Sequence, residues 1–153
     1  MTLMERIEQE TTAALKARDA ERVATLRYLR AALQNDAIQR KKKSLTDEET
    51  LAVIQREAKR RRESIEQYAA GGRDDLAAKE RGELAILGAY LPEQMDAGAI
   101  REKIETVLAA DPSLRDPVKR GVVMGKLMPD LRGRADGKLV QTLVAEALSA
   151  PNA

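Results

Sequence analysis

Cysteine and histidine are both absent from this chain of 153 residues. Without cysteine there can be no disulfide, no thiolate nucleophile and no zinc–sulfur site. Without histidine, general acid–base catalysis near neutral pH falls to carboxylates or lysines, and a transition-metal site would need carboxylates alone. We therefore expect no catalytic residues, no metal site and no cofactor, so the chain is not expected to be an enzyme.

Phenylalanine and tryptophan are absent too, and the tyrosines Tyr28, Tyr68 and Tyr90 make up the whole aromatic content of 2%. The core must therefore consist of aliphatic side chains and alanine, which suit close packing between helices. So few aromatic rings also argue against a protein that stacks on unpaired bases of single-stranded nucleic acid.

Long hydrophobic runs are missing as well. No stretch approaches the roughly 18 apolar residues that a membrane-spanning helix needs, and the first residues lack the apolar run of a signal peptide. These absences predict a cytoplasmic protein without a membrane partner. Charged residues are plentiful at 34%, but the formal net charge is only +2. Any affinity for nucleic acid must therefore come from local clusters of basic residues.

The spacing of apolar residues is helical throughout, and the alternation typical of strands is nearly absent. Two capping boxes, Thr2 with Glu5 and Thr46 with Glu49, predict the starts of the first and third helices. Asp19 is predicted to cap the second helix. These three starts are expected from local sequence alone.

The ends of these helices are predicted from basic and glycine residues. The second helix is expected to end near Lys43, since cations suit a helix C-terminus. The third is expected to end at Gly71-Gly72, a natural stop. A fourth helix is predicted to start at Asp74 or Asp75 and to reach Tyr90.

Leu91-Pro92 marks a boundary, because the residue before proline is pushed out of helical geometry. Beyond it, Asp96 is predicted to cap a fifth helix, Asp116-Pro117 to start a sixth and Asp136 to cap a seventh. Pro129 is expected to end or distort the sixth helix.

The sequence thus predicts an all-α protein. An N-terminal helical domain of about four helices covers residues 1–92, a smaller C-terminal three-helix domain covers residues 93–150, and residues 151–153 form a tail.

Two groups of basic residues in the N-terminal domain are candidates for phosphate contact, because affinity grows with each phosphate that is neutralised. The first contains Lys41, Lys42 and Lys43, and the second contains Lys59 and Arg60. If the two helices form an antiparallel hairpin, the clusters could border one basic strip. The first group belongs to the run from Arg40 to Lys43, and its alternative is a solvated helix end before a loop. The second belongs to the run from Lys59 to Arg62, and its alternative is a structural role for the arginines of that run.

A third candidate region lies in the C-terminal domain, where residues 118–153 contain six basic and three acidic side chains. Its glycines would permit close approach of another helix or of a nucleic-acid backbone, and a helix start beside cations suits a phosphate. The alternative is helix packing with glycine stops. The glycines are Gly121, Gly125, Gly133 and Gly137, and the cations are Lys126, Arg132, Arg134 and Lys138.

One set of charges is expected to be structural. Arg61 lies on the apolar stripe of the third helix, and Glu80 and Glu83 lie one turn apart on the fourth. We expect Arg61 and Arg62 to form ion pairs with these carboxylates across the helix interface. An acid–base pair made of the two carboxylates is the disfavoured alternative.

Several short motifs occur in order along nearly the whole chain. They are RESIEQY (62–68), GRDDLA (72–77), YLP (90–92), MGKLM (124–128) and GRAD (133–136). As an ordered set they resemble the GatB/YqeY family.

The resemblance implies a helical domain followed by a smaller one, as in the C-terminal tail of the B subunit of tRNA-dependent amidotransferase. That enzyme converts Glu-tRNA(Gln) or Asp-tRNA(Asn) to the amide form, and its tail helps to hold the tRNA. Carbon–nitrogen ligase activity with glutamine as amido-N-donor is then implied for the whole enzyme, whose catalytic parts this chain lacks. Gly125-Lys126 and the segment from Gly133 to Lys138 are implied to face RNA.

The resulting hypothesis is a tRNA-binding or structured-RNA-binding accessory module. The alternative is a non-catalytic protein-interaction module whose partner belongs to the tRNA charging or amidation machinery.

Overall fold

The computed structural model describes residues 1–149 and contains seven α-helices, with no strand within that range. The chain divides into two compact units, Met1–Leu91 and Pro92–Ala153. The predicted all-α class is confirmed. The tail predicted at residues 151–153 lies outside the described residues.

Unit 1 contains four helices whose starts agree with the predictions. They are α1 (Leu3–Lys16), α2 (Ala20–Gln39), α3 (Asp47–Ala70) and α4 (Asp74–Gly88). The hydroxyl of Thr2 accepts the N–H of Glu5, while the Glu5 carboxylate accepts the N–H of Thr2. Thr46 and Glu49 form the same reciprocal pair. Both predicted capping boxes are confirmed.

The predicted end of α2 near Lys43 is wrong, because the helix ends at Gln39. Lys41 has a left-handed backbone with a φ of 57°. In that conformation the N–H of Lys41 bonds the carbonyl of Ile38 at 3.0 Å, and the N–H of Lys42 bonds that of Ala37 at 2.9 Å. This pattern satisfies the last carbonyls of the helix and turns the chain away. Lys42 and Lys43 therefore lie on a loop.

The core of unit 1 is aliphatic, as the shortage of aromatic residues requires. The largest side chains that are fully buried there are Ile7, Leu26, Leu29, Leu33, Ile54 and Leu87.

Tyr90 is the one tyrosine in this core, with 5% of its surface exposed. Its hydroxyl donates to the carboxylate of Glu10, and the guanidinium of Arg6 lies 5.0 Å from the ring centre. Burial raises the pKa of Tyr90 to about 12, and the hydrogen bond to Glu10 adds to that shift. The neutral phenol is therefore the form that stabilises the fold.

We expect alkaline pH to test this contact. The pKa of Tyr90 is higher in the folded state than in the unfolded state, so the stabilisation is complete below pH ~10 and is lost as the pH rises through about 12. Tyr90→Phe is expected to cost about 1 kcal/mol at neutral pH and to make the alkaline fall in melting temperature less steep. The matched control is Tyr28→Phe, since Tyr28 is 55% exposed. Melting temperatures measured from pH 7 to 11.5 that fall in parallel for both variants would contradict the assignment.

Unit 2 contains α5 (Ala97–Ala110), α6 (Arg120–Leu131) and α7 (Gly137–Ser149). Asp96 caps α5 by accepting the N–H of Ala99 at 2.8 Å. Two short 3₁₀ helices, Pro112–Arg115 and Pro117–Lys119, join α5 to α6. Asp116 caps the second of these by accepting the N–H of Val118, and α6 follows directly. The predicted start at Asp116-Pro117 is therefore a 3₁₀ turn that leads into the sixth helix.

Pro129 was expected either to end or to distort the sixth helix. It does not end α6, which continues to Leu131. The ring nitrogen has no hydrogen to give to the carbonyl of Gly125, so one backbone bond of the last turns is lost. Gly125 is exposed, and water can satisfy its carbonyl. The proline is tolerated because it lies near the helix end, where few further bonds depend on it.

Candidate nucleic-acid interface

Seven of the nine cations of unit 2, all except Arg132 and Arg134, fall into two groups. Three of them form ion pairs that each include a residue of α5: Arg101 with Glu146, Lys103 with Asp130 and Arg115 with Glu105. By contrast, Lys119, Arg120, Lys126 and Lys138 form no ion pair within residues 1–149. The cations without ion pairs thus belong to the stretch from 119 to 138, which overlaps the region favoured by the sequence.

Lys119 and Lys126 lie close enough to act on one acidic group. The pKa of Asp111 is lowered chiefly by a hydrogen bond from the Ser113 side chain, with smaller coulombic contributions from Lys126 and Lys119. Both lysines therefore lie near Asp111. The sequence analysis did not name Lys119 and Arg120 as candidates. Their position at the start of α6 could have identified them.

Gly121 and Gly125 lie one helical turn apart on the exposed side of α6. A Cβ built at either position meets no atom within 4 Å. Packing within unit 2 therefore does not require a glycine at these two positions. Val118 and Val122 beside them are 86% and 48% exposed. This side of α6 is open to the close approach of another molecule.

The turn after α6 is held by the segment that precedes α5. Gln94 donates its side-chain amide to the carbonyl of Gly133 at 2.9 Å. Arg134 donates Nε to the carbonyl of Glu93 at 3.3 Å, and its own carbonyl accepts the N–H of Met95 at 2.8 Å. Gly133 has a φ of 80°, which other residues rarely adopt. Gly133 and Arg134 therefore stabilise this turn, a structural role in addition to the RNA contact predicted for them.

The start of α7 already has an acidic cap. Asp136 accepts the N–H of Lys138 at 3.3 Å through its carboxylate. The predicted phosphate position at this helix start therefore requires a phosphate to compete with that side chain. Gly137 faces open space, and the side chain of Lys138 remains exposed. Arg132 follows α6 as its C-terminal cap and is also exposed.

The first basic group of unit 1 is partly neutralised. Lys42 donates Nζ to Glu49 at 2.6 Å. This hydrogen bond is the main cause that lowers the pKa of Glu49 to about 2. Lys41 and Lys43 are exposed and form no ion pair in the part of the chain that the structure describes. The sequence analysis placed all three lysines at one helix end. In the structure, Glu49 neutralises Lys42 but pairs with neither Lys41 nor Lys43.

Two largely buried carboxylates lie near these groups: Asp36 pairs with Arg40 and Arg56, and Glu57 pairs with Arg60. Arg60 is 3.5 Å from Glu57, and Arg56 is 3.5 Å from Asp36. The side chains of Glu57 and Asp36 are only 6% and 8% exposed. Lys59, the other predicted cation, is half-buried. The sequence analysis did not identify Glu57 as a buried carboxylate. Its position one helical turn after Ile54, on the buried side of α3, could have indicated this burial.

Arg61 is brought together with both predicted carboxylates. Its Nη1 lies 3.1 Å from Glu80 and also bonds Glu83, and the arginine side chain is 11% exposed. Its guanidinium carbon lies 5.3 Å from the ring centre of Tyr28. Arg62, grouped with Arg61 by the sequence, pairs with neither carboxylate. The arrangement is a salt bridge that joins α3 to α4.

Among the residues that the structure describes, no group of three or more carboxylates is placed to hold a metal ion. No helix in that part of the chain has the length and hydrophobicity needed to cross a bilayer.

The model of the Yqey-like protein family matches residues 4–148. The chain belongs to this family. The resemblance inferred from the ordered motifs is therefore confirmed at the level of the family.

Relatives of this Yqey-like chain carry the name Altered inheritance of mitochondria protein 41, mitochondrial. The protein of Pyrenophora tritici-repentis is 29% identical over 97% of this chain and 82% of its own length. The protein of Candida glabrata is 30% identical over 57% of this chain and 48% of its own length. That of Eremothecium gossypii is 32% identical over 56% and 46%. The alignments thus span about half the length of the last two relatives.

These names correct one prediction. A cytoplasmic location was expected from the missing signal peptide, but the relatives are named as mitochondrial proteins. The expectation is contradicted because it relied on an absence, and an absent apolar run excludes only one kind of targeting signal.

Proposed function

We propose that this Yqey-like protein is a non-catalytic accessory module that binds structured RNA, with tRNA as the first candidate. The observation that supports it best is the set of exposed cations in unit 2. Lys119, Lys126 and Lys138 have no ion pairs in the described range, and they accompany the open side of α6 at Gly121 and Gly125.

Each of these cations has a physical role in the proposal. Lysine side chains neutralise phosphates and release counterions, which supplies affinity without reading bases. The missing side chains of Gly121 and Gly125 let a ribose-phosphate backbone come close to the helix. The turn at Gly133, held by Gln94, joins α6 to α7, whose second residue is Lys138. Recognition is then by shape and phosphate spacing, as is usual for folded RNA.

The experiment is a titration of the full-length protein with bulk tRNA over a salt series, with duplex DNA of similar length as the control. With three or four phosphates contacted, we expect the logarithm of the association constant to fall linearly with that of the salt concentration, with a slope of about −3. Binding to tRNA should exceed binding to DNA. Absence of saturable binding to tRNA at low salt would contradict the proposal.

A second function, a protein-interaction module, is supported by a different observation. Val118 and Val122 expose large apolar surfaces beside the two open glycines of α6. Apolar surface bordered by polar residues is typical of protein interfaces. Capture of a protein that remains bound after ribonuclease treatment, and that is lost in Val118→Asp with Val122→Asp, would favour this function over RNA binding.

A further inference from the structure

A groove of about 440 Å³ lies in unit 1 between α1, α2 and the loop that joins α2 to α3. Its volume falls within the range of small-molecule sites, which is roughly 300 to 1,000 Å³. Three cations line it, namely Arg27, Arg30 and Lys43, together with one carboxylate, Glu8. The groove therefore has an excess of positive charge.

These cations are only weakly engaged by the protein. Arg27 and Lys43 form no ion pair anywhere in residues 1–149. Arg30 lies 3.9 Å from Glu8, and the two side chains are 47% and 56% exposed. A contact so long and so exposed to solvent contributes little to stability. Arg27 and Arg30 are three residues apart on α2, so their guanidinium groups share one side of the helix.

Part of the groove lining is apolar. Met4 and Ala31 contribute accessible apolar surface, whereas Leu33, Leu45 and Ala37 also line the groove but are nearly fully buried. Gln34 and Ser44 also line the groove, and their side chains offer both donors and acceptors. An inorganic anion alone would leave the apolar surface of Met4 and Ala31 uncovered, so the groove suits a ligand with a charged end and a less polar body.

The loop that carries Lys43 is held at both ends. The left-handed turn at Lys41 precedes it, and the capping box of Thr46 and Glu49 follows it. Lys42 bonds Glu49 across the loop. Lys43 is therefore presented to the groove by a backbone that is already ordered, which lowers the entropy cost of binding.

We propose that this groove binds a nucleoside phosphate. A phosphate monoester carries about −1.5 to −2 charges near neutral pH, which matches the excess of positive charge. Guanidinium groups at Arg27 and Arg30 suit the paired oxygens of a phosphate, and the apolar surface at Met4 and Ala31 suits the face of a base. The source is either a free mononucleotide or the phosphorylated end of an RNA.

The test is a calorimetric titration of the full-length protein with AMP, adenosine, inorganic phosphate and a short RNA that carries a 5′-phosphate. We expect AMP to bind at least about tenfold more tightly than adenosine or phosphate. The double variant Arg27→Gln with Lys43→Gln should weaken AMP binding by about tenfold or more. The matched control, Lys79→Gln with Arg81→Gln, removes two exposed cations of α4 that do not line the groove and should change binding less than about twofold.

A short RNA that binds more tightly than AMP would identify an RNA end as the source, and equal affinity would identify the free nucleotide. The proposal is overturned if AMP does not saturate the protein, if adenosine or phosphate binds as tightly as AMP, or if both double variants weaken binding equally. The RNA result is assigned to the groove only if Arg27→Gln with Lys43→Gln removes the tighter binding of the RNA, since Lys126 and Lys138 are unchanged in that variant. The AMP result does not depend on the RNA contact proposed for unit 2.

Discussion

Arg61→Met is expected to lower the free energy of unfolding of unit 1 by about 3 kcal/mol, because it leaves two largely buried carboxylates without a cation. The side chains of Glu80 and Glu83 are only 21% and 16% exposed, and both bond the guanidinium of Arg61. Methionine preserves most of the apolar contact made by the arginine stem. The loss of stability should therefore reflect the two unpaired carboxylates and not a cavity in the core.

Urea unfolding followed by circular dichroism at 222 nm measures this effect, and Arg62→Met is the matched control. Arg62 is adjacent, half-buried and outside the salt bridge. Its replacement should cost less than about 0.5 kcal/mol. Adding Glu80→Gln and Glu83→Gln to Arg61→Met should restore most of the stability, since the unpaired charges are then gone.

Equal losses for Arg61→Met and Arg62→Met would contradict the salt bridge as the main contact between α3 and α4. Failure of the two glutamine substitutions to restore stability would show that the arginine acts through a contact other than these carboxylates. The ring of Tyr28, on which its guanidinium stacks, is that contact.

Removal of two lysines of unit 2 should change the salt dependence of RNA binding. In the variant Lys126→Gln with Lys138→Gln, we expect the slope of binding against salt to become less steep by about 2, since each lost phosphate contact contributes nearly one unit. The affinity for tRNA at low salt should fall by about tenfold or more. Arg134 is left intact because its guanidinium bonds the carbonyl of Glu93 and supports the turn.

The matched control for this measurement is Arg101→Gln with Lys103→Gln. It removes the same charge from the same unit, but both residues lie on α5, outside the stretch from 119 to 138. The slope should change little in this control. Equal changes in the two variants would mean that binding follows total charge and that the side chains from 119 to 138 have no special role.

Most of the helix starts could be predicted because their causes are local. Thr2 with Glu5, Thr46 with Glu49, and Asp96 act on backbone groups two or three residues away. The end of α2 could not, since Lys41 adopts a conformation that favours glycine and no glycine marks it. Helix ends depend on the energy of the whole following loop.

The candidate site was only partly predictable. The stretch that holds Lys126 and Lys138 was found from its local excess of basic residues. The groove of unit 1 could not be predicted, because Arg27 and Lys43 are 16 residues apart in the sequence. They line the same groove only because the chain turns back after α2. Nothing in the spacing of these two residues indicates that they line one cavity.

The sequence by itself determined the all-α class, the two capping boxes and the membership of the family, because each follows from short-range patterns and ordered motifs. Only the tertiary structure decided which charges are neutralised. Lys42 is paired with Glu49, and Arg61 with Glu80 and Glu83, whereas Lys43 and Lys126 form no ion pair within the described range. The physical reason is that the energy of an ion pair depends on distance and burial, and both are set by how the helices pack.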